Sequence, residues 1–136
     1  MRLLQRVCVA GFLVISSLAS VSAYAASIPG EASVLRALDK VTARTLDLVV
    51  PIGETVRYGT LEITSRQCLK KPPEETPETS TFLEIRELKS DEEPVMVFSG
   101  WMFASSPALN ALEHPVYDVW VIDCKISDGG VSGSKE

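Results

Sequence analysis

Histidine is nearly missing from this chain: 136 residues hold only His114, beside three cysteines. Catalytic zinc takes three protein ligands, commonly with more than one histidine. Glu113, His114, Asp118 and Asp123 are the one group that approaches such a set, and Pro115 interrupts any helical spacing within it. The G-x-S-x-G elbow that exposes a hydrolase serine is also missing. A triad of Ser105 or Ser106 with His114 and Asp118 would therefore have to arise from spatial convergence alone. Basic residues are outnumbered, 13 to 18, for a formal charge of −5. Phosphate backbones need clustered Lys and Arg, so nucleic acid is excluded as a partner. Glycoside hydrolysis needs two carboxylates across a cleft. Most acids here lie in loop-like charge runs, which leaves Glu113 and Asp118 as the pair to consider. No catalytic residue, metal or cofactor is assigned.

The first residues read "MRLLQRVCVAGFLVISSLASVSAYAA". Arg2 and Arg6 precede an apolar run from Val7 to Val21, and Ala23-Tyr24-Ala25 offers small residues to a signal peptidase. This order of parts is that of a secretory signal peptide over residues 1–25, and the apolar run is shorter than a spanning helix needs. Cleavage is expected after Ala25, with Ala23 and Ala26 as neighbouring alternatives. No cysteine stands at the cleavage point to carry a lipid anchor. The expected product is exported, with no membrane span after cleavage. Removing Arg2 and Arg6 takes 13 basic residues to 11 against 18 acidic ones, moving the charge from −5 to −7.

Export also bears on the cysteines. Cys8 leaves with the leader, and Cys68 and Cys124 remain as an even pair in an oxidising compartment. Redox cysteines usually sit close together, as in CxxC, and zinc would need further ligands. A structural disulfide between Cys68 and Cys124 is the expectation, stabilising the domain by about 4 kcal/mol in the chain-entropy model.

Residues 26–40 carry mixed signals. Val34, Leu35 and Leu38 have helical spacing, and Glu31 and Ser33 suit a helix start, so a short helix and an extended arm both fit. From residue 41 to 125 the period is two. "TARTLDLVVPIG" places Leu46, Leu48 and Val50 on one face, and "ETVRYG" with "LEITSRQC" forms a hairpin around Gly59-Thr60. "LKKPPEETPETST" is a Pro-rich loop. "TFLEIRELK" is a strand with Leu83, Ile85 and Glu87 on one face and Phe82, Glu84 and Arg86 on the other. "PVMVFSGW" is apolar on both faces, which predicts a central, well-covered strand. In "VYDVWVIDCK" the alternation puts Trp120 on one face with Ile122 and Cys124, buried near the disulfide. Residues 126–136 form a polar, Gly-rich tail. The fold class is all-β, a small sandwich or barrel.

Both tryptophans and the histidine fall in "GWMFASSPALNALEHPVYDVW", Gly100 to Trp120. Ser106-Pro107 is a helix-start pair, which predicts a short helical crossover ended by Pro115. Trp101, Met102 and Phe103 cannot all point inward from a strand, so one should lie at an edge or beneath the crossover. Trp101, Met102, Phe103, Glu113, His114, Tyr117 and Asp118 form a candidate binding surface for a protein partner. Trp101, Tyr117 and Trp120 also suit stacking on a sugar ring, which keeps a cell-wall glycan as an alternative ligand.

"LDKVTART", "IGETVRYGTLEI", "SRQC" with the following "PPEETPET", and above all "FSGWMFASSPALNALEHPVYDVWVIDC" resemble the alphaproteobacterial family called domain of unknown function 2155. The similarity runs from about Leu35 to Cys124. It implies a small exported periplasmic protein with no established enzymatic activity, so no catalytic residues are carried over. Some relatives bear a cellulase-like label, which no residue pattern here supports. The expected role is a non-enzymatic binding or accessory protein, docking to an envelope or inner-membrane assembly. N-terminal sequencing of the protein from a periplasmic extract should begin at Ala26. A chain retaining Met1 would overturn the leader assignment.

Overall fold

The computed structural model describes residues 26–127. The expected leader with Cys8, and residues 128–136 of the expected tail, lie outside the described residues. Among the described residues there are eight strands and no helix: β1 (Ile28–Pro29), β2 (Ala32–Asp39), β3 (Arg44–Pro51), β4 (Thr55–Tyr58), β5 (Leu61–Lys70), β6 (Thr79–Glu87), β7 (Val95–Phe103) and β8 (Tyr117–Lys125). One sheet has the order β1-β5-β6-β7, with β4 also pairing with β5, and the other has the order β3-β2-β8. All strand pairings are antiparallel. The two sheets stack face to face as a sandwich. Leu35, Ala37, Val50, Leu61, Ile63, Leu83, Ile85, Val119 and Val121 fill the space between them.

The N-terminal segment is extended and forms the middle strand of its sheet. Helical spacing misled here because Val34 and Leu38 face outward, while Ser33, Leu35 and Ala37 alternate inward, fully buried. Ser33 is a core hydroxyl and caps nothing. The β4–β5 hairpin turns at Gly59, whose φ of 56° is a left-handed conformation that glycine adopts without penalty. The strand β7 is an edge strand rather than a central one. Its apolar first residues, Val95 and Met96, are 47% and 45% exposed, because they run past the cover of the three-stranded sheet.

Two bulges decide where the cysteines point. On β5 the register passes from Ser65↔Leu83 to Gln67↔Phe82, leaving Arg66 as an extra residue. On β8 it passes from Asp123↔Val34 to Val121↔Leu35, leaving Ile122 extra. Each extra residue inverts the alternation that follows it. Without them, Cys68 would share the outward face of Glu62 and Thr64, and Cys124 that of Trp120. With them both cysteines turn inward, buried, and join in a disulfide with Cα atoms 5.9 Å apart. The same shift explains why Trp120 is half-exposed on the outer face while Val119 and Val121 enter the core.

The disulfide bridges the two sheets beside a buried hydroxyl cluster. Ser33 Oγ lies 2.6 Å from both Ser65 Oγ and Thr81 Oγ1, and Thr81 donates to Gln67 O at 2.8 Å. These hydroxyls satisfy one another, as buried polar groups must. Ser33 and Thr81 are the direct cross-strand neighbours of Cys124 and Cys68.

Deleting Arg66 should return Cys68 to the outer face. The variant should show two free thiols by alkylation and mass measurement, and a lower melting temperature than the Cys68→Ser, Cys124→Ser double variant with the bulge intact. An unchanged disulfide in the deletion variant would show that the bulge does not set the cysteine's direction.

Candidate functional site

The segment between β7 and β8 is built of turns, not the helix that Ser106-Pro107 predicts. Ser106 N donates to Phe103 O, and Leu109 N to Ser106 O, which closes two successive turns and no more. Three tertiary ties hold the segment in this form. Glu78 accepts from Ser105 N at 3.1 Å and from the Ser105 hydroxyl, which anchors its start. Asn110 Nδ2 donates to Trp101 O at 2.9 Å, and this approach needs Gly100, where a Cβ would lie 2.7 Å from that nitrogen. Leu112 is buried in the core with Phe98 and Met102. A helix from Pro107 could not meet these fixed points before Pro115.

The Glu78 carboxyl is set by its surroundings. Burial pushes it upward, but the Ser105 hydroxyl and the main-chain N–H groups of Ser105, Thr79 and Ala104 outweigh that and hold it below its ordinary value.

His114 is buried, and both ring nitrogens are occupied. Nδ1 accepts from Val116 N at 3.0 Å and Tyr117 N at 3.1 Å, so the proton sits on Nε2 and is donated to Glu87 Oε1 at 3.1 Å. The ring stacks on Tyr117 at 5.2 Å, and Tyr117 meets Tyr58 edge-on at 5.2 Å. The Tyr117 hydroxyl occupies the space where a Cβ on Gly59 would stand. Burial, then Asp39 and Tyr117, push the Tyr58 hydroxyl above its ordinary value. Lys40 Nζ donates to His114 O at 2.8 Å and pairs with Asp118 Oδ1 at 3.1 Å.

The proposed surface residues are therefore divided. Met102 and His114 face the interior and can only support a surface. Trp101 lies on the outer face of the larger sheet, edge-to-face with Phe82 at 5.6 Å, and Phe103 shares that face by alternation. Tyr117 is half-buried beneath the hairpin. Glu113 is exposed, and Asp118 lies on the outer face of β8. The serine, histidine and aspartate of the imagined triad contact three different partners, Glu78, Glu87 and Lys40, and not one another. Asp123 pairs with Lys70 at 2.8 Å. Among the described residues no group of three metal-ligating side chains converges. Trp101 and Tyr117 do not form a common stacking platform.

Sequence reading missed an apolar cleft of about 270 Å³ between this crossover and β8. Pro107, Ala108, Ala111 and Leu112 form one side, and Asp118, Val119 and Trp120 the other. The small apolar residues of "SPALNAL" were the available signal, but a helix would have spent them on packing. Leu109, beside the cleft, is 72% exposed.

The Glu78 tie has a definite pH dependence. A lowered folded-state value means that its contribution is present above the ordinary glutamate value of about 4.3 and is lost as pH falls through the folded value. In thermal melts Glu78→Gln should be less stable than wild type at neutral pH, and the two should converge below about pH 4. A gap that widens in acid would refute this role.

No solved structure matches the chain. It is similar to the uncharacterized protein RP359 of Rickettsia prowazekii (strain Madrid E), 34% identical over 88 residues. That match covers 65% of this chain and 57% of the relative, so the similarity spans little more than half of the relative's length. The model of the family described as "uncharacterized protein conserved in bacteria" matches residues 33–124, from the buried Ser33 to the disulfide cysteine Cys124. The chain belongs to this bacterial family, the domain of unknown function 2155.

Proposed function

We propose that this is an exported, non-enzymatic accessory protein of the periplasm that docks to an envelope or inner-membrane assembly through its crossover corner. The observation that carries the reading is the exposed apolar strip Pro107, Ala108, Leu109 and Ala111, standing beside a cleft walled by Trp120. An exposed apolar strip at an open cleft is a place where a partner removes surface from water. Trp is a common anchor of such contacts. The groups with chemical potential are engaged in holding the corner together: His114 with Glu87, Ser105 with Glu78, and Lys40 with Asp118. Their geometry supports a rigid presenting surface. The docking surface narrows from the whole Trp101 to Tyr117 stretch to the strip 107–111 with Glu113, Asp118 and Trp120 around it.

Tagged protein expressed in its own host and crosslinked before membrane solubilisation should recover one defined envelope protein. Leu109→Asp changes a side chain that is already mostly in water, so it should leave the melting temperature unaltered and lower recovery at least tenfold. Recovery of no protein, or recovery indifferent to Leu109→Asp and abolished by Trp101→Ala, would reject this docking face.

A further inference from the structure

Most sheet edges of this molecule are blunted, and one is not. The strands β1 and β4 are only two and four residues long. The ladder of β7 contains a bulge, and the Asn110 side chain takes the Trp101 carbonyl. The strand β8 is covered along Val119 and Val121, which are 4% and 1% exposed. Short strands, bulges and cover are the means by which a sheet avoids unwanted pairing. The strand β3 has none of them. It runs for eight residues, pairs only with β2 in an unbroken ladder, contains no lysine, and meets proline only at its last residue, Pro51. Two bonds fix the direction of its main chain: Ile52 N to Glu31 O at 2.9 Å, and Lys40 N to Val116 O at 2.8 Å. Pairs alternate along an antiparallel ladder. Arg44, Leu46, Leu48 and Val50 therefore turn their main-chain groups to β2, and Thr45, Asp47 and Val49 turn theirs to the free edge. All three of these are exposed. For their N–H and C=O groups no hydrogen-bond partner exists among the described residues. Apolar surface gathers at the same place. Val41, Leu46 and Val49, at 77%, 46% and 42% exposure, are three of the six large apolar side chains left exposed among the described residues.

We propose that β3 receives an extended segment of another protein, which adds antiparallel at this edge with a lysine or arginine opposite Asp47 and an apolar residue on either side of that cation. Such a strand supplies main-chain partners for Thr45, Asp47 and Val49. Its two apolar side chains lie against Leu46 and Leu48, on the side of the sheet that faces the core. Its cation meets the Asp47 carboxylate, which holds Arg36 at 2.7 and 2.9 Å yet keeps 46% of its side chain in solvent. Opposite charges on directly opposed residues favour pairing, and like charges oppose it. The same carboxylate decides against a second copy of this chain. The antiparallel register centred on Asp47 pairs all three free residues, Thr45 with Val49 and Asp47 with Asp47 of the copy. A shift by one pair brings in either Ala43, which lies in the turn with a φ of 56°, or Pro51, which has no N–H and gives its carbonyl to Glu54 N. The full register therefore sets carboxylate against carboxylate, in a chain whose formal charge is −5. β3 and β8 are opposite edges of one sheet, so this surface is separate from the crossover corner.

The test uses isotope-labelled protein purified from its own host and the blocked peptide Ser-Thr-Leu-Lys-Leu-Thr-Ser. The peptide should shift the amide resonances of Thr45, Asp47 and Val49 saturably. Its counterpart with glutamate at the centre should bind about fivefold more weakly. N-methylation of the lysine and both threonines, whose N–H groups face β3, should weaken binding about tenfold or more. N-methylation of the two leucines, whose N–H groups face away, should leave binding within about twofold. Asp47→Lys should reverse the preference between the lysine and glutamate peptides. Val49→Pro removes an N–H that no ladder bond uses, so it should abolish binding and leave the melting temperature nearly unaltered. No saturable shift at the three amides, indifference to which residues are N-methylated, or an unreversed preference in Asp47→Lys would overturn the proposal. A peptide-free dimer that protects these amides would overturn the choice of another protein. The Leu109-dependent envelope crosslink should survive Val49→Pro, and its loss would show one surface where two are proposed.

Discussion

The inter-sheet disulfide is the fixed point of the molecule, and two misfits in strand pairing make it possible. Arg66 on β5 and Ile122 on β8 are each one residue too many for their ladders. Each turns the following cysteine from the outer face to the space between the sheets. Closing a loop of 56 residues stabilises the fold by about 4 kcal/mol in the chain-entropy model. That is a large part of what a domain of about 100 residues retains. The hydroxyls of Ser33, Ser65 and Thr81 sit beside the bond and satisfy one another only in the observed register. A slip of one residue on β2 or β6 would carry Ser33 or Thr81 outward and strand the rest in an apolar interior. Covalent link and hydroxyl cluster therefore specify the same alignment of the two sheets.

The family match ends at this bond. Residues 33–124 begin at the hydroxyl that faces the disulfide and finish at its second cysteine. The strand pair Ser33↔Cys124 thus closes the matched region on itself. A unit bounded in this way carries its own core, and the crossover, which lies inside it, belongs to that unit.

Much of this was legible in the chain because period two survives wherever a strand is covered on one face. Leu61 and Ile63, Leu83 and Ile85, and the β4–β5 turn at Gly59 all read correctly from alternation and turn chemistry. The cysteine pairing followed from count and from the expectation of export. What failed to show was anything that depends on a neighbour. A bulge has no residue signature of its own, so the face of Trp120 was assigned with the wrong phase. Apolar residues on both faces of "PVMVFSGW" suggest a central strand, yet Val95 and Met96 simply overrun the smaller sheet. Ser33 and Ser106 both look like helix caps. The first is a buried hydroxyl, and the second opens turns, because cap chemistry is shared by helices and turns. The cleft was invisible for the same reason: it exists between two segments that only the fold brings together.

The crossover corner is a consequence of unequal sheets. A three-stranded sheet cannot cover a five-stranded one, so the inner face of β7, with Phe98 and Met102, extends beyond β8. The chain closes that gap with Leu112 and His114, pinned by Glu87 and by two main-chain donors. Filling a gap with an irregular segment uses one side of it and leaves the other in water. Leu112 goes inward, while Pro107, Ala108, Leu109 and Ala111 remain outside. The irregularity that completes the core is thus also what leaves the apolar strip at the surface. That corner is where small and large apolar side chains stay in water after the core is complete.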